Sequence, residues 1–284
     1  RETLRRGYGD CKDKSALLIA GLRKLGIRAH IALVRSSFGA DLHADLPGLE
    51  AFNHAIVFVP DGKLWVDPTY PNAPAGQLPA VNQGRRALVI AADTTRLTET
   101  PVSSSRDNSH EEQRTYTFSL DQQATVEERL VTRGESARRM RRWSKRFDAA
   151  GLRRYAKRHL LRRYQASAGQ EVKLDDKRRG GFSVSFAAKG GAVGTFDEDE
   201  IVVPLSQGQL FNDVVGTLRR RQSKPRKQPL VGPLGFSAQI RYRIVAPLPY
   251  RYEDGPRPFR LEAGGVRFSL AVEPSKDKRR VELV

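Results

Sequence analysis

The sequence predicts an α+β protein in which one helix packs on an antiparallel sheet and a mostly β domain follows. Apolar residues recur at helical spacing within residues 11–25. The next apolar segments are short and bounded by Gly, Asp and Pro, which is typical of strands. With 284 residues, 39% of them hydrophobic, the chain is long enough for about two domains with separate cores.

The first predicted domain covers residues 1–93. Its helix ends at Gly26, a residue type that commonly stops a helix. The dipeptide Asp61-Gly62 predicts a tight hairpin between two of the strands that follow. Four segments are expected to be strands: residues 27–34, 51–59, 64–69 and 87–91.

A polar run over residues 94–112 is the predicted linker, because Ser, Thr, Asp and Asn cluster there without apolar periodicity. The second domain is expected to cover residues 113–284 and to be rich in strands. It begins with two strands around a turn near Asp121. Two basic helices within residues 134–164 are expected to meet near Gly151, and a loop rich in Lys, Arg and Pro lies between residues 219 and 229.

Composition excludes several classes of protein. The single cysteine cannot form an intrachain disulfide, and no CxxC pair for zinc is present, so no metal or other cofactor is expected. The longest apolar run, residues 16–22, is interrupted by Arg23, so no transmembrane segment is expected. The net charge of +18 favours an anionic partner, although a solvated basic surface would give the same composition.

The only cysteine stands where the helix begins. Asp10 is a suitable N-cap, and Asp13 lies three residues later, as in a capping box. Cys11 would then be the first helical residue, where free backbone N–H groups, the helix dipole and the neighbouring lysines favour a thiolate. The alternative is an inert cysteine that serves as a small buried hydrophobe.

The hairpin is expected to bring a histidine and an aspartate together. If Asp61 and Gly62 form the turn, Pro60 pairs with Lys63, and His54 and Asp67 become diagonal neighbours on one face. A carboxylate beside an imidazole could orient a general base for a thiol nucleophile. The alternatives are a core histidine, an aspartate that only forms the turn before Pro68, and a three-ligand metal site. His30 is expected to be structural, and His43, His110 and His159 are expected on the surface.

Three segments carry a family resemblance: GDCKDKSALLIAGLRKLGIRAHIALV, FNHAIVFV and LWVDPTY. They resemble the bacterial transglutaminase-like superfamily, which has the papain-like cysteine fold, and in particular the subgroup whose core is flanked by domains of unknown function. The resemblance covers residues 5–92. It implies that Cys11 is the nucleophile, His54 the base and Asp67 the acid, with no cofactor. It departs at Ile56, where relatives often carry an aromatic residue.

The resemblance also carries expectations about the rest of the protein. Cores of this type have helical structure before the cysteine helix, so part of the catalytic domain is expected upstream of Arg1. The backbone N–H of Cys11 is expected to supply one oxyanion donor. A location in the bacterial cell envelope or periplasm is implied as well.

The predicted basic helices contain twelve cations. Apolar residues such as Met140, Trp143 and Leu160 are expected to supply their buried face. The helices therefore present either a solvated surface or a site for an anionic surface or polymer. No helix-turn-helix, zinc finger or aromatic RNA-binding motif supports specific nucleic-acid binding. The cations are Arg138, Arg139, Arg141, Arg142, Lys145, Arg146, Arg153, Arg154, Lys157, Arg158, Arg162 and Arg163.

Two functions follow from these patterns. The first is thiol-dependent acyl transfer on an amide of a protein or peptide substrate, as a peptidase, an amidase or a transglutaminase-type enzyme. The second is a catalytically inactive scaffold of the same fold that binds a polyanion or an envelope partner.

Overall fold

A computed structural model describes residues 2–37, 41–43, 48–177, 181–197, 200–205, 235–263 and 266–284. It shows a mixed α+β protein that divides into two compact units. The first unit ends at Asn108 and the second begins at Ser109, while residues 235–236 group with the first.

The first unit contains two helices and five strands. Three short 3₁₀ turns lie between them, at Leu49–Ala51, Pro60–Gly62 and Ala80–Asn82. The regular elements are α1 (Glu2–Arg6), α2 (Cys11–Lys24), β1 (His30–Val34), β2 (His54–Val59), β3 (Leu64–Val66), β4 (Arg86–Val89) and β5 (Thr98–Glu99).

Its sheet has the order β3-β2-β1-β4-β5, and every neighbouring pair is antiparallel. Helix α2 packs on one face, where Ile19 joins Val57 and Val59 in a buried cluster. The opposite face holds a second cluster that includes Ile56 and Trp65. The sheet is thus apolar on both faces, which explains why β2 reads as a nearly continuous apolar run.

The strands are shorter than the sequence predicts. The segment 27–34 pairs only from His30 onward, because the Ile27 N–H still bonds the Leu22 carbonyl of the preceding helix at 2.9 Å. The segment 51–59 begins at His54, after a 3₁₀ turn. The segment 64–69 ends at Val66, just before Asp67-Pro68, since proline cannot donate to a sheet.

The second unit contains the two basic helices and eleven strands among its described residues. They are β6 (Ser109–Phe118), β7 (Ala124–Thr132), α3 (Gly134–Ser144), α4 (Ala149–Tyr164), β8 (Ala168–Lys177), β9 (Gly181–Gly191), β10 (Thr195–Phe196), β11 (Ile201–Val202), β12 (Ser237–Val245), β13 (Phe259–Ala263), β14 (Val266–Leu270), β15 (Val272–Pro274) and β16 (Arg280–Leu283).

Its main sheet has seven strands in the order β15-β16-β12-β6-β7-β9-β8, and α3 and α4 pack against it. All pairs are antiparallel except β12 with β6. The core contains Tyr116, Leu160, Tyr164 and Phe186. Alternate residues of β7 are buried and exposed, so this sheet has one apolar face and one polar face.

The predicted linker of residues 94–112 is wrong at both of its ends. Thr98–Glu99 forms β5 beside β4, and residues 109–112 are the start of β6. Ser109 and Glu112 are buried, and a parallel partner strand pairs with this segment. A sequence that is polar locally can therefore enter a sheet when distant strands provide its hydrogen bonds.

The two basic helices do not meet near Gly151. Helix α3 ends at Ser144 and α4 begins at Ala149, because the Asp148 side chain caps α4 by accepting a hydrogen bond from the Gly151 N–H at 2.6 Å. Gly151 therefore lies in the first turn of α4. The N-cap residue Asp148 is the local signal that marks the start of α4, and the prediction overlooked it.

Three of the basic side chains expected on an open face have acidic partners. Arg138 donates two hydrogen bonds to Glu135, and buried Arg141 donates to Asp176 at 2.7 Å. Arg163 lies 3.7 Å from the buried carboxylate of Glu128. These arginines neutralise carboxylates within the fold.

The histidine predictions are partly wrong. His43 is exposed, as expected, and His110 is half-buried. His159 is half-buried on α4 because its Nε2 bonds Glu128 Oε2 at 3.2 Å and its ring packs on Phe186. The basic sequence around His159 does not indicate this contact, because the carboxylate belongs to β7, which is distant in the chain.

Three further expectations concern the chain as a whole. The loop predicted between residues 219 and 229 lies outside the described residues. In the part of the chain that is described, no helix has the length and apolarity needed to cross a membrane. The same part contains no cluster of three or more His, Cys, Asp or Glu side chains arranged to hold a metal ion.

Candidate active site

Cys11 is the first residue of α2, as the sequence predicts. The Asp10 side chain accepts hydrogen bonds from the N–H groups of Lys12 at 2.8 Å and Asp13 at 3.0 Å. The Asp13 carboxylate accepts in return from the Asp10 N–H at 3.2 Å, which completes a capping box. The position of the thiol at the helix start is therefore determined by side chains on both sides of it.

The residue directly before the N-cap, at position 9, must be a glycine. A Cβ atom there would lie 2.6 Å from the Cβ of Asp13 and 2.9 Å from a methyl group of Thr3. Real Cβ atoms do not come this close to their neighbours. Any larger residue at Gly9 would displace the capping box and with it Cys11.

His54 is the first residue of β2, and the register of the β2–β3 hairpin is the predicted one. Val57 pairs with Val66 and Val59 with Leu64. The loop differs from the predicted two-residue turn: it spans four residues and places Lys63 in the left-handed region at φ 46°. Pro60 cannot donate to the ladder, so pairing stops one step earlier without changing the face of any side chain.

Asp67 lies on the same sheet face as His54, and the two are hydrogen-bonded. His54 Nε2 and Asp67 Oδ2 are 2.9 Å apart. Only 15% of the histidine side chain and 2% of the aspartate side chain are exposed. Because an ionised carboxylate can only accept, the Nε2 nitrogen carries the proton and Nδ1 is left for another partner.

Two further residues hold the Asp67 carboxylate. Thr69 donates to Oδ1 twice, from its N–H at 2.8 Å and its hydroxyl at 2.6 Å. Asn82, which is 1% exposed, donates from Nδ2 to Oδ2 at 3.0 Å. Burial raises the pKa of Asp67, but hydrogen bonds from His54 and Thr69 outweigh it and hold the pKa below its ordinary value.

Cys11 lies close enough to His54 to affect the pKa of its imidazole. The Asp67 hydrogen bond raises the pKa of His54, burial opposes that shift, and the interaction with Cys11 raises it further. An imidazole that binds protons more readily next to an ionised carboxylate is the arrangement that favours a thiolate–imidazolium pair. The structure thus brings the three predicted site residues together: His54 is hydrogen-bonded to Asp67 and interacts electrostatically with Cys11.

Ser15 connects the helix that carries Cys11 with the strand that carries His54. It lies one turn after Cys11, is fully buried, and donates from Oγ to the carbonyl of Ala55 at 3.1 Å. Ala55 directly follows His54. This hydrogen bond fixes the separation between the thiol and the imidazole independently of the apolar packing below it.

Sequence reasoning missed the roles of Ser15, Thr69 and Asn82. The Asp67-Pro68-Thr69 segment carries a local signal, because aspartate often accepts from the residue two positions later. Ser15 could have been noticed as the polar residue one helical turn after Cys11. Asn82 gives no such signal, since it reaches Asp67 from a loop fifteen residues away.

Two other expectations concern the surroundings of the thiol. Among the described residues, the Cys11 N–H has no backbone acceptor, so this donor is free at the helix start. Ile56, where the resembled family often has an aromatic residue, is completely buried in the sheet core. Its side chain therefore packs the fold and does not line an exposed wall.

Comparison of the chain with protein-family models, with curated proteins and with solved structures finds no match.

Proposed function

We propose that this protein is a cysteine acyltransferase or hydrolase acting on an amide of a protein or peptide, with a transglutaminase-like core. Cys11 is the nucleophile, His54 the general base and acid, and Asp67 the group that orients the imidazole. The observation that carries the proposal is the His54 Nε2 to Asp67 Oδ2 hydrogen bond of 2.9 Å. The interaction of Cys11 with His54, which raises the pKa of the imidazole, supports it.

The geometry supports a two-step reaction. His54 Nδ1 takes the thiol proton, and the Cys11 sulfur forms a bond to the substrate carbonyl carbon. The free N–H of Cys11 is the donor we assign to the developing oxyanion. When the carbon–nitrogen bond breaks, His54 returns the proton to the leaving amine and a thioester remains.

The second step releases the acyl group. Water or an amine attacks the thioester carbonyl while His54 takes its proton. The carbon–sulfur bond then breaks and Cys11 leaves as a thiolate, which recovers the starting pair. Water gives hydrolysis and an amine gives transfer, and the same three side chains serve both outcomes.

A reactive ester tests the proposal directly. The full chain is incubated with p-nitrophenyl acetate, and acetyl adducts are located by mass spectrometry while nitrophenol release is followed. Cys11 is the only cysteine, so a thioester adduct identifies it without ambiguity. We expect adduct formation at pH about 6.5 to exceed that of free cysteine at least tenfold.

His54→Gln and His43→Gln form a matched pair of variants. His43 is an exposed histidine of the same unit, so its replacement should leave acylation unchanged. His54→Gln should reduce acylation to the rate of an ordinary thiol. Equal acylation by wild type and His54→Gln, or an adduct rate no higher than free cysteine, would contradict the proposal.

A further inference from the structure

Helix α4 carries an exposed row of cations on the second unit. The α4 stripe consists of Arg153, Arg154, Lys157, Arg158 and Arg162, which are all exposed. Within the described residues none of the five forms an ion pair or a side-chain hydrogen bond. At a rise of 1.5 Å per residue, the stripe extends about 14 Å along the helix.

The only acidic residue next to the stripe on α4 is its N-cap, Asp148. The α4 sequence AAGLRRYAKRHLLRRY contains no Asp or Glu. The acids of the adjacent strand β8 are engaged elsewhere: Glu171 pairs with Lys173, Asp175 with Lys177, and Asp176 with Arg141. The stripe therefore presents a net positive charge.

The arrangement is unfavourable for the helix itself. Like charges at i and i+4 repel, and the stripe contains the pairs Arg153–Lys157, Arg154–Arg158 and Arg158–Arg162. A face evolved only for solubility gains from alternating signs, which would remove this repulsion. Uniform positive charge is favourable when an anionic partner lies against the face.

One exposed apolar side chain lies near the C-terminal end of the stripe. Leu161 is 48% exposed, and on a helical projection it falls between Lys157 and Arg154, with the other cations on either side. A leucine beside cations fits a bilayer surface, where cations meet lipid phosphates and the leucine meets the acyl boundary. A phosphate polymer offers a leucine no comparable environment.

We infer that the α4 stripe is a docking surface for an anionic phospholipid bilayer. This role is independent of the Cys11 chemistry. The helix lies on the surface: its buried residues, such as Ala156 and Leu160, pack on the sheet and do not enter the lipid. Adsorption therefore depends on the exposed cations, with Leu161 adding a shallow apolar contact.

Vesicle co-sedimentation of the full chain tests the inference. We expect binding to vesicles that contain about one third phosphatidylglycerol and none to pure phosphatidylcholine. The variant Arg153→Gln/Arg154→Gln/Arg158→Gln should bind roughly 100-fold more weakly, because each basic residue near an anionic bilayer contributes about fivefold. The variant Leu161→Gln should bind several-fold more weakly.

A matched triple variant controls for net charge. Arg251, Arg257 and Lys276 are exposed cations of the same unit with no ion pair among the described residues. The variant Arg251→Gln/Arg257→Gln/Lys276→Gln should keep most of the affinity. Equal losses in the two triple variants would overturn the inference, as would unchanged vesicle binding by Leu161→Gln or stronger binding to double-stranded DNA than to vesicles. Unchanged melting temperatures establish that each variant is folded.

Discussion

At the scale of the residue, the Asp67 carboxylate is unusual because four donors converge on a side chain that is almost fully buried. Thr69 saturates one oxygen, and His54 and Asn82 share the other. Burial alone would favour the neutral acid, so the hydrogen-bond donors keep Asp67 ionised. A carboxylate held in this way determines which nitrogen of His54 carries a proton.

Replacing Asp67 with Asn tests that role. An amide nitrogen at the position of Oδ2 would donate to His54 Nε2, so the imidazole proton would move to Nδ1. A protonated Nδ1 cannot accept the thiol proton. We expect acylation of Cys11 by p-nitrophenyl acetate to fall at least tenfold, to about the rate of the His54→Gln variant, as expected for tautomer reversal in a triad. Stability should change little, because the Asn82 amide can turn its oxygen toward the new donor.

Asp61→Asn is the control for this substitution. Asp61 is an exposed aspartate of the same hairpin and pairs with Arg28 at 2.7 Å. Its replacement should leave acylation unchanged. If both variants were fully active, Asp67 would be no more than a turn-forming residue.

Asn82 is the second residue whose replacement is informative. Its Nδ2 donates to Asp67, while its buried Oδ1 has no hydrogen-bond partner among the described residues. An unpartnered buried acceptor costs about 1–3 kcal/mol, so Asn82→Leu should leave the free energy of unfolding within about 1 kcal/mol of wild type. Acylation at pH 6 should nevertheless fall several-fold, because Asp67 loses one donor to its charged form.

Gln83→Leu provides the contrast for Asn82. Gln83 is a buried amide of the same loop that bonds the Leu78 carbonyl and the Ser103 N–H but does not touch Asp67. Its loss should lower stability in urea unfolding without changing the pH dependence of acylation. A large stability loss in Asn82→Leu with normal acylation would assign Asn82 to folding alone.

At the scale of the element, the second unit contains a buried ionic cluster between β7 and α4. Glu128 accepts hydrogen bonds from His159 and from the Tyr164 hydroxyl, with Arg163 nearby. Burial raises the pKa of Glu128, but these partners outweigh it and lower the pKa to about 2. The cluster attaches the helix that carries the α4 stripe to its sheet.

The lowered pKa of Glu128 predicts acid-dependent stability. The pKa of Glu128 in the folded protein lies below its ordinary value of 4.5. The contribution of Glu128 to the free energy of unfolding is therefore complete above pH 4.5 and is lost as the pH falls toward about 2. Urea unfolding should show Glu128→Gln less stable than wild type by a few kcal/mol at pH 7, with the gap narrowing below pH about 4.5.

Glu127→Gln removes a neighbouring exposed carboxylate on the opposite face of β7. We expect its unfolding free energy to follow wild type at every pH. A constant difference between Glu128→Gln and wild type from pH 7 to pH 3 would mean that the cluster does not hold Glu128 ionised.

At the scale of the whole molecule, the net charge of +18 opposes the compact state through self-repulsion. Salt shortens the range of this repulsion from about 30 Å at 0.01 M to about 8 Å at 0.15 M. The melting temperature of the full chain should therefore rise by several degrees between these two NaCl concentrations at pH 7.

Choline chloride at the same ionic strength distinguishes screening from binding of sodium. Both salts should raise the melting temperature equally, and the rise should shrink near pH 10, where lysines lose charge. A melting temperature that falls with salt would show that attractive ion pairs outweigh the net repulsion.

Local chemistry explains how much the sequence could predict. Asp10 and Gly26 delimit helix α2, and the Asp61-Gly62 turn with its alternating faces predicts the register that places His54 beside Asp67. These features depend on residues near each other in the chain, and local sterics and hydrogen bonding suffice to produce them. The α+β class follows from the same periodicities.

Tertiary structure alone decided the remaining features. Asn82 reaches Asp67, Glu128 reaches His159, and Ser15 reaches Ala55 across long stretches of chain. Such pairings depend on how separate elements pack, which no local pattern encodes. The sequence by itself determined which residues begin the helix and share the hairpin face, whereas packing determined which polar groups are buried together and therefore which charges the site can hold.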